Sequence, residues 1–392
     1  MNLRLGERQA SIIMNENDAM IDILLRLPLR SLLQCRCVCK WWKCLISDPI
    51  FISNYSCQNP ELHSSGFFIQ KFLLFEPHPR LEFVACKGEI DAAPEPSLSF
   101  IEDDKGVCIQ HSCNGLLLCS SFRCHEEDRK YYVCKPTTKQ CWSLPKPSCK
   151  TVFGTNIIYD PCVSLHYKII CVCDSELSIN LCEIKIYDSA MGAWRTSRNL
   201  KLDSHNLLFN RGVFWNGALH WIGREDLSFR FHIEREVLLL MRKPPIPEGG
   251  SQRRLEYFGE SGGHLYLIEI YGPETTIFNV MEMERDYSSW FVKYRVDLAR
   301  VASSFASMIR YNVEQIHRHV FSVLHLVDQQ AGDNDESYLV LHIPGKLVSF
   351  NLEGGNFTEL DNCSFQICGL EALGLWYSWE GVYLYTNTFY YL

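Results

Sequence analysis

Four cysteines, Cys35, Cys37, Cys39 and Cys44, crowd one short stretch of the chain, and the first chemistry they suggest is metal binding. Zinc knuckles usually place their thiols in a turn with two residues between them. Residues two apart on a helix point about 200° from one another, so Cys35 and Cys37 do not easily share an ion. The same stretch holds Arg26, Arg30, Arg36, Lys40 and Lys43, with no acid between Arg26 and Ile46. That pattern offers electrostatic attraction of an acidic partner. His220, between Trp215 and Trp221, is the one residue that resembles a catalytic imidazole on a strand; it reads more simply as a packed strand histidine. Cys119, Cys171 and Cys173 fall in apolar runs and read as small buried hydrophobes. The acids 102–104 and 333–336 read as solvated loops, since they lack the ordered oxygen spacing of a calcium loop. No G-x-S-x-G, P-loop, H-E-x-x-H or Rossmann fingerprint occurs. We therefore assign no catalytic residue, cofactor or metal, and read the chain as a binding protein rather than an enzyme.

The basic residues belong to a short helical unit. Met20, Ile23, Leu24 and Leu27 recur at the spacing of one helix face. Asp18 suits the helix start, where a carboxylate meets free N–H groups, and Pro28 ends the helix. A second helical region carries Leu32, Leu33, Cys37, Val38, Trp41, Trp42, Leu45 and Ile46, and Ser47-Asp48-Pro49 stops it. A hairpin of this size is too small to bury its own apolar face. It needs either an acidic partner protein or the rest of the chain, on which it would sit as an N-terminal cap.

Composition narrows the function classes. A formal net charge of −8 argues against nucleic-acid binding by the whole protein. A hydrophobic fraction of 47% and a charged fraction of 21% are those of a globular chain. The 392 residues allow a small domain and a large one. Met1 to Met14 lack the apolar core of a signal peptide, and no apolar run approaches the ~20 residues of a membrane span. The 19 scattered cysteines are therefore expected as reduced thiols in the cytoplasm or nucleus.

From about residue 60 the texture is all-β: short runs of Phe, Tyr, Val and Ile between turns. Val301 to Tyr311 is ambiguous, and loops are expected at Lys87 to Pro96, Arg123 to Arg129, Pro244 to Arg254 and Asp328 to Ser337. A strand, a polar turn and an aromatic recur, closing on Trp142, Trp194, Trp290 and Phe357, with a degenerate copy from Phe229 to Leu238. A glycine leading into an apolar strand recurs at Gly115, Gly217, Gly263 and Gly381. Spacings near 45 to 50 residues, or twice that, predict propeller blades. The glycines are expected to allow the tight entry to an inner strand, and the aromatics to pack between blades. Length over period predicts one closed ring of six to eight blades, with Gly381 to Leu392 as structural strands.

The hairpin resembles the F-box, the helical module that docks proteins onto the Skp adaptor of a cullin-RING ubiquitin ligase. The matching residues are Ile23, Leu24, Leu27, Pro28, Ser31, Leu32 and Leu33, then Arg36, Cys37, Val38, Lys40, Trp42, Leu45 and Ile46, then Pro49 and Phe51. Asn15-Glu16 replace the usual Leu-Pro, which removes adaptor contact, and Cys35 and Cys39 stand where an aromatic and a serine are common. The later blocks resemble the kelch-like F-box-associated domain of plant F-box proteins: Cys113-Asn114-Gly115, Lys135 to Lys139, Tyr159-Asp160-Pro161 with Tyr167-Lys168, Trp194-Arg195 and Gly217 to Trp221. Members usually have Asn-Pro where this chain has Lys135-Pro136.

The resemblance implies a flexible start over 1–14, an F-box over 15–56 and a β-propeller-like domain over 60–392. It implies adaptor contact through Ile23, Leu24, Leu27, Pro28, Leu32, Leu33, Cys37, Val38, Lys40, Trp42, Leu45 and Ile46. The implied partners are the Skp adaptor, through it a cullin scaffold, and an unidentified protein target; no nucleic acid and no membrane are expected. The implied role is substrate recognition in an SCF-type ligase. The other reading is a propeller or lectin-like binding protein with a vestigial F-box, acting outside a ligase.

Overall fold

A computed structural model describes residues 18–27, 29–58, 64–72, 76, 78–85, 94–175, 182–200, 208–223, 228–248, 253–271, 275–311, 317–328, 336–360 and 379–386. Asn15, Glu16, Pro28, the acids 333–335 and the run 387–392 lie outside them.

Four helices come first: α1 over 18–25, α2 (Leu29–Cys35), α3 (Lys40–Ile46) and α4 (Pro49–Gln58). Asp48 starts α4, its Oδ1 accepting from the backbone N–H of Ile50 at 2.8 Å. Cys39 does the same for α3 with sulfur, Trp42 N to Sγ at 3.4 Å. The Tyr55 hydroxyl donates to the Leu27 carbonyl at 2.7 Å and holds α4 to the end of the first helix.

A six-blade β-propeller follows. Blade 1 begins with β1 (Ser64–Lys71) and β2 (Arg80–Ala85). Blade 2 is β3 (Val107–Cys113), β4 (Leu116–Ser121), β5 (Tyr131–Lys135) and β6 (Gln140–Leu144). Blade 3 is β7 (Val152–Ile158), β8 (Lys168–Asp174), β9 (Cys182–Asp188) and β10 (Ala193–Leu200). Blade 4 is β11 (Val213–Trp215), β12 (Ala218–Ile222), β13 (Ser228–His232) and β14 (Val237–Leu240). Blade 5 is β15 (Arg253–Ser261), β16 (His264–Tyr271), β17 (Ile277–Met283) and β18 (Trp290–Asp297). The ambiguous stretch resolves into α5 (Ala299–Ser304), a short 3-10 turn and β19 (Ile309–Tyr311), which pairs with β20 (His317–His319). Blade 6 is β21 (Ser322–Val327), β22 (Tyr338–Ile343), β23 (Lys346–Asn351) and β24 (Phe357–Glu359). Finally β25 (Val382–Thr386) returns to blade 1 and pairs antiparallel with β1, Phe67 against Leu384 and Ile69 against Val382. First and last strands thus close the ring, which leaves no edge between the chain ends.

Three expectations need correction. Of the four glycines only Gly381 leads into a channel-lining strand, β25; the other three lie in hairpin turns ahead of the second strand. Asn114-Gly115, Asn216-Gly217 and Gly262-Gly263 form the two-residue turns from first to second strand, every one of the six at positive φ. That backbone is the type I′ hairpin turn, whose twist matches the strands it joins. At Gly262 a Cβ would also meet the Asp328 carbonyl oxygen at 2.8 Å. Second, β15 starts at Arg253, inside the stretch read as a loop to Arg254. Third, Ile23 is not on the buried face of α1. It is 58% exposed, whereas Leu24 and Leu25 are buried with Met20 and Ile21 packed beside them. The buried stripe is rotated because the helix packs on more than a narrow seam.

Candidate functional site

The helical unit does not stand apart from the propeller. Leu24, Leu25, Leu32, Ile46, Phe51, Ile52 and Tyr55 form one continuous apolar cluster with residues of blades 2 and 3, among them Leu116, Tyr131, Val133, Ile157, Tyr167 and Tyr187. Burying such side chains stabilises by roughly 1.5–3 kcal/mol each, which makes this seam a substantial contact. Below it Lys135 is fully buried at the end of β5. Burial, and then the charge of Arg36 on the hairpin, push its ammonium down to about 7.

The other side of the unit faces water. Ile23, Val38, Trp41 and Ile50 are the large exposed hydrophobic side chains there, at 58%, 66%, 45% and 71%. Cys37, Lys40 and Lys43 are exposed alongside. An exposed apolar set rimmed by positive charge is the composition of a protein-docking surface.

The residues expected to touch an adaptor divide between these sides. Ile23, Cys37, Val38 and Lys40 are exposed; Leu27, Trp42 and Leu45 are half-buried; Leu24, Leu32 and Ile46 are buried. Leu33 belongs to α2, and Pro28 lies outside the described residues. Trp41 and Ile50, both exposed, are not among the residues that the F-box resemblance assigns to the adaptor. Trp41 stands beside Trp42, and only packing tells which indole of the pair turns outward.

The second candidate is the propeller channel. The first strands of five blades, β25, β3, β11, β15 and β21, line a cavity of about 180 Å³ whose wall includes His111, Arg211, Tyr257, Glu260, His325 and Tyr383. His111 Nε2 donates to the Gly212 carbonyl at 2.6 Å. The Arg211 guanidinium lies 4.7 Å from the Tyr383 ring centre. Burial pushes both His111 and His325 down to about 4, so both are neutral at pH 7. The Glu260 carboxyl is raised by burial. The two wall imidazoles are thus uncharged at pH 7, and Arg211 brings a positive charge to the wall.

His220 is fully buried. Its Nδ1 donates to the Val213 carbonyl and its Nε2 accepts from the Tyr287 hydroxyl, both at 3.1 Å. Burial lowers it to about 4. Both ring nitrogens are committed, so the group is a packing histidine. Among the described residues, the thiols that gather in a group of three are not those of the hairpin but Cys149, Cys171 and Cys173 at blade 3.

A small helical unit braced on a closed six-blade propeller defines a class: a two-part protein with a helical N-terminal domain and a large all-β domain. The chain belongs to the F-box proteins that carry an F-box associated beta propeller domain. Residues 17–58 match the F-box-like family and 84–299 the F-box associated beta propeller domain. Arabidopsis thaliana F-box protein At5g07610 is 32% identical over 91% of this chain and 87% of its own length. F-box protein At5g49610 of the same plant is 27% identical over 72% of this chain and 79% of its own. Among solved structures, TolB from Acinetobacter baumannii is similar at a TM-score of 0.42 and 10% identity, over 81% of this chain and 68% of that one.

Proposed function

We propose that the chain is the substrate-recognition subunit of an SCF-type cullin-RING ubiquitin ligase. The observation that carries this is the exposed face of the F-box unit, where Val38, Trp41 and Ile50 stand beside Lys40 and Lys43. In this reading that face docks an acidic Skp adaptor, and the adaptor links to a cullin scaffold. The propeller holds a target protein at its channel mouth. The chain makes and breaks no bonds; it raises the effective concentration of target lysines near the conjugating enzyme. The recurrent strand, turn and aromatic support describing the blades as kelch-like. We place the F-box at about 15–56 and the propeller from about 60. The cysteines of the described residues are all free, which supports a cytoplasmic or nuclear location.

Co-purification of the full chain with a Skp adaptor at high salt tests the reading. Val38→Glu combined with Trp41→Ala should abolish capture without moving the melting temperature, since both side chains are exposed. A wild-type chain that does not retain the adaptor overturns it.

One observation favours a second reading. Leu24, Leu32 and Ile46, which the resemblance assigns to the adaptor, are buried against this chain's own blades or within the hairpin core. A vestigial F-box that serves only as a brace for a propeller-type binding protein would look like this. The same experiment separates the two, because a brace captures no adaptor.

A further inference from the structure

Blade 3 has two unlike faces. Ile170, Val172, Ile184 and Ile186 form an apolar side that packs with Phe209 and Trp221. The opposite side starts apolar, with Ile169 and Tyr187 against blade 2 and the hairpin. It then turns into a buried polar group, because Cys171 stands opposite Lys185 and Cys173 opposite Glu183 across β8 and β9. Cys149, in the link that leads into β7, closes over them, and the three Sγ atoms lie within 4.8 Å of one another.

The charged groups beside the sulfurs are already held. The Lys185 ammonium sits 3.2 Å from the Ser148 hydroxyl and 3.5 Å from Glu183, and Ser175 donates to Glu183 at 2.8 Å. The sulfurs meet oxygen only at long range: Cys149 the Pro147 carbonyl and Cys173 the Glu183 carbonyl, each at 3.8 Å. A thiol is a weak donor, so these contacts bind little.

We propose that Cys149, Cys171 and Cys173 form a trithiolate site for a divalent d10 metal ion, Zn²⁺ being the fitting case. Zinc–thiolate bonds of about 2.3 Å set tetrahedral sulfurs about 3.8 Å apart. The observed spacing therefore needs at most about 1 Å of closure. Three S–H protons leave as three S–metal bonds form, and water takes the fourth position on the side where Cys149 is half-exposed. Three thiolates and Glu183 outweigh the charge of Lys185, and a divalent cation removes most of that excess. Lys185, anchored by Ser148, stands opposite Cys171 across the strand pair, a cationic neighbour to the anionic site. The ion would pin the link between blades 2 and 3 to the middle of blade 3. That is a role in the propeller itself, independent of whether the hairpin binds an adaptor.

The test uses the full chain, reduced, stripped with chelator and titrated with Co²⁺ alone under anaerobic conditions. One Co²⁺ per chain should bind with thiolate charge-transfer absorption and tetrahedral d–d bands, and Zn²⁺ should displace it. Cys149→Ser should weaken binding about ten-fold or more. Cys37→Ser, an exposed hairpin change, should leave binding unaltered. Protection of Cys149 from alkylation in zinc-loaded wild type gives a readout that needs no variant to fold. Four results overturn the site: no charge-transfer band, a band indifferent to Cys149→Ser, a band lost in Cys37→Ser, or a Cys149 disulfide in place of bound metal.

Discussion

Trp194 donates its indole N–H to the carbonyl of Pro145 at 2.6 Å, 49 residues earlier in the chain. Trp194 lies on β10, the last strand of blade 3, and Pro145 follows β6, the last strand of blade 2. Trp290 on β18 repeats the contact with Arg242 after β14, at 2.8 Å and 48 residues. One blade length thus becomes a hydrogen bond between neighbouring blades. The tryptophans that close two of the sequence units, Trp194 and Trp290, are clamps between the last strands of neighbouring blades.

Trp194→Phe keeps a ring near Tyr187, whose centroid lies 5.4 Å from the indole, but loses the donor. The Pro145 carbonyl is partly reached by water, so the loss should be about 1 kcal/mol. Urea unfolding should show a lower midpoint at unchanged slope. A midpoint equal to wild type would mean that the clamp does not couple the blades.

The two sides of the hairpin should respond differently to truncation. Leu32 is fully buried, so Leu32→Ala should cost about 2–5 kcal/mol of fold stability whether or not an adaptor is present. Trp41→Ala, on the exposed side, should cost little stability and act on adaptor capture. Thermal melting of the isolated chain, compared with co-purification, reads the split. Equal melting temperatures for wild type and Leu32→Ala would place Leu32 outside the core.

Much of this architecture was legible because it repeats. The spacing of Trp142, Trp194 and Trp290 carries the blade length, whereas the Asn-Gly pairs at 114–115 and 216–217, read as entries to strands, are hairpin turns. What repeats leave out is what meets only once. Nothing in α1 says that Leu25 rather than Ile23 turns inward, because both suit an apolar face and the propeller surface decides. The contact of Lys135 with the field of Arg36 joins two domains whose sequences share no pattern. The Cys149, Cys171 and Cys173 group is likewise hidden. Two of its thiols are two apart on a strand, which reads as an ordinary buried side, and the third arrives from a link.

Acid should weaken the propeller through its buried imidazoles. Histidine ordinarily titrates near 6.5, and burial lowers His325 to about 4. Below pH 6.5 the unfolded chain takes up a proton that the fold refuses. His325 therefore contributes fully above pH 6.5, and its contribution falls away as pH drops toward 4. His111 and His220 act in the same sense. Glu256 and Glu260, raised by burial, act in the opposite one, since their protonated forms suit the fold. Replacing His325 by Phe, beside Phe67 and Tyr257, should flatten the loss of unfolding free energy between pH 6.5 and 4 by up to about 1.4 kcal/mol per pH unit. Denaturant titrations across that range give the slope, and an unchanged slope would show that His325 is not held neutral.

Ring closure rests on one short strand. Residues 382–386 pair with β1, and Tyr385 fills the seam, fully buried against Phe68 with ring centres 5.5 Å apart. Its hydroxyl meets Thr137 of blade 2, so β25 also ties the first blade to the second. Removing residues 382–392 uncovers the hydrogen-bonding edge of β1 and strips Tyr385 from the face of Phe68. The shortened chain should lose its single cooperative melting transition and aggregate at low micromolar concentration. Tyr385→Phe, which keeps the ring and removes only the hydroxyl, should remain soluble and lose about 1 kcal/mol. The helical unit is braced on blades 2 and 3 rather than on blade 1, so adaptor capture, if it occurs, should survive Tyr385→Phe unchanged. Light scattering and calorimetry on both variants decide the matter: a soluble, cooperatively melting chain that ends at residue 381 would mean that β25 decorates the ring instead of closing it.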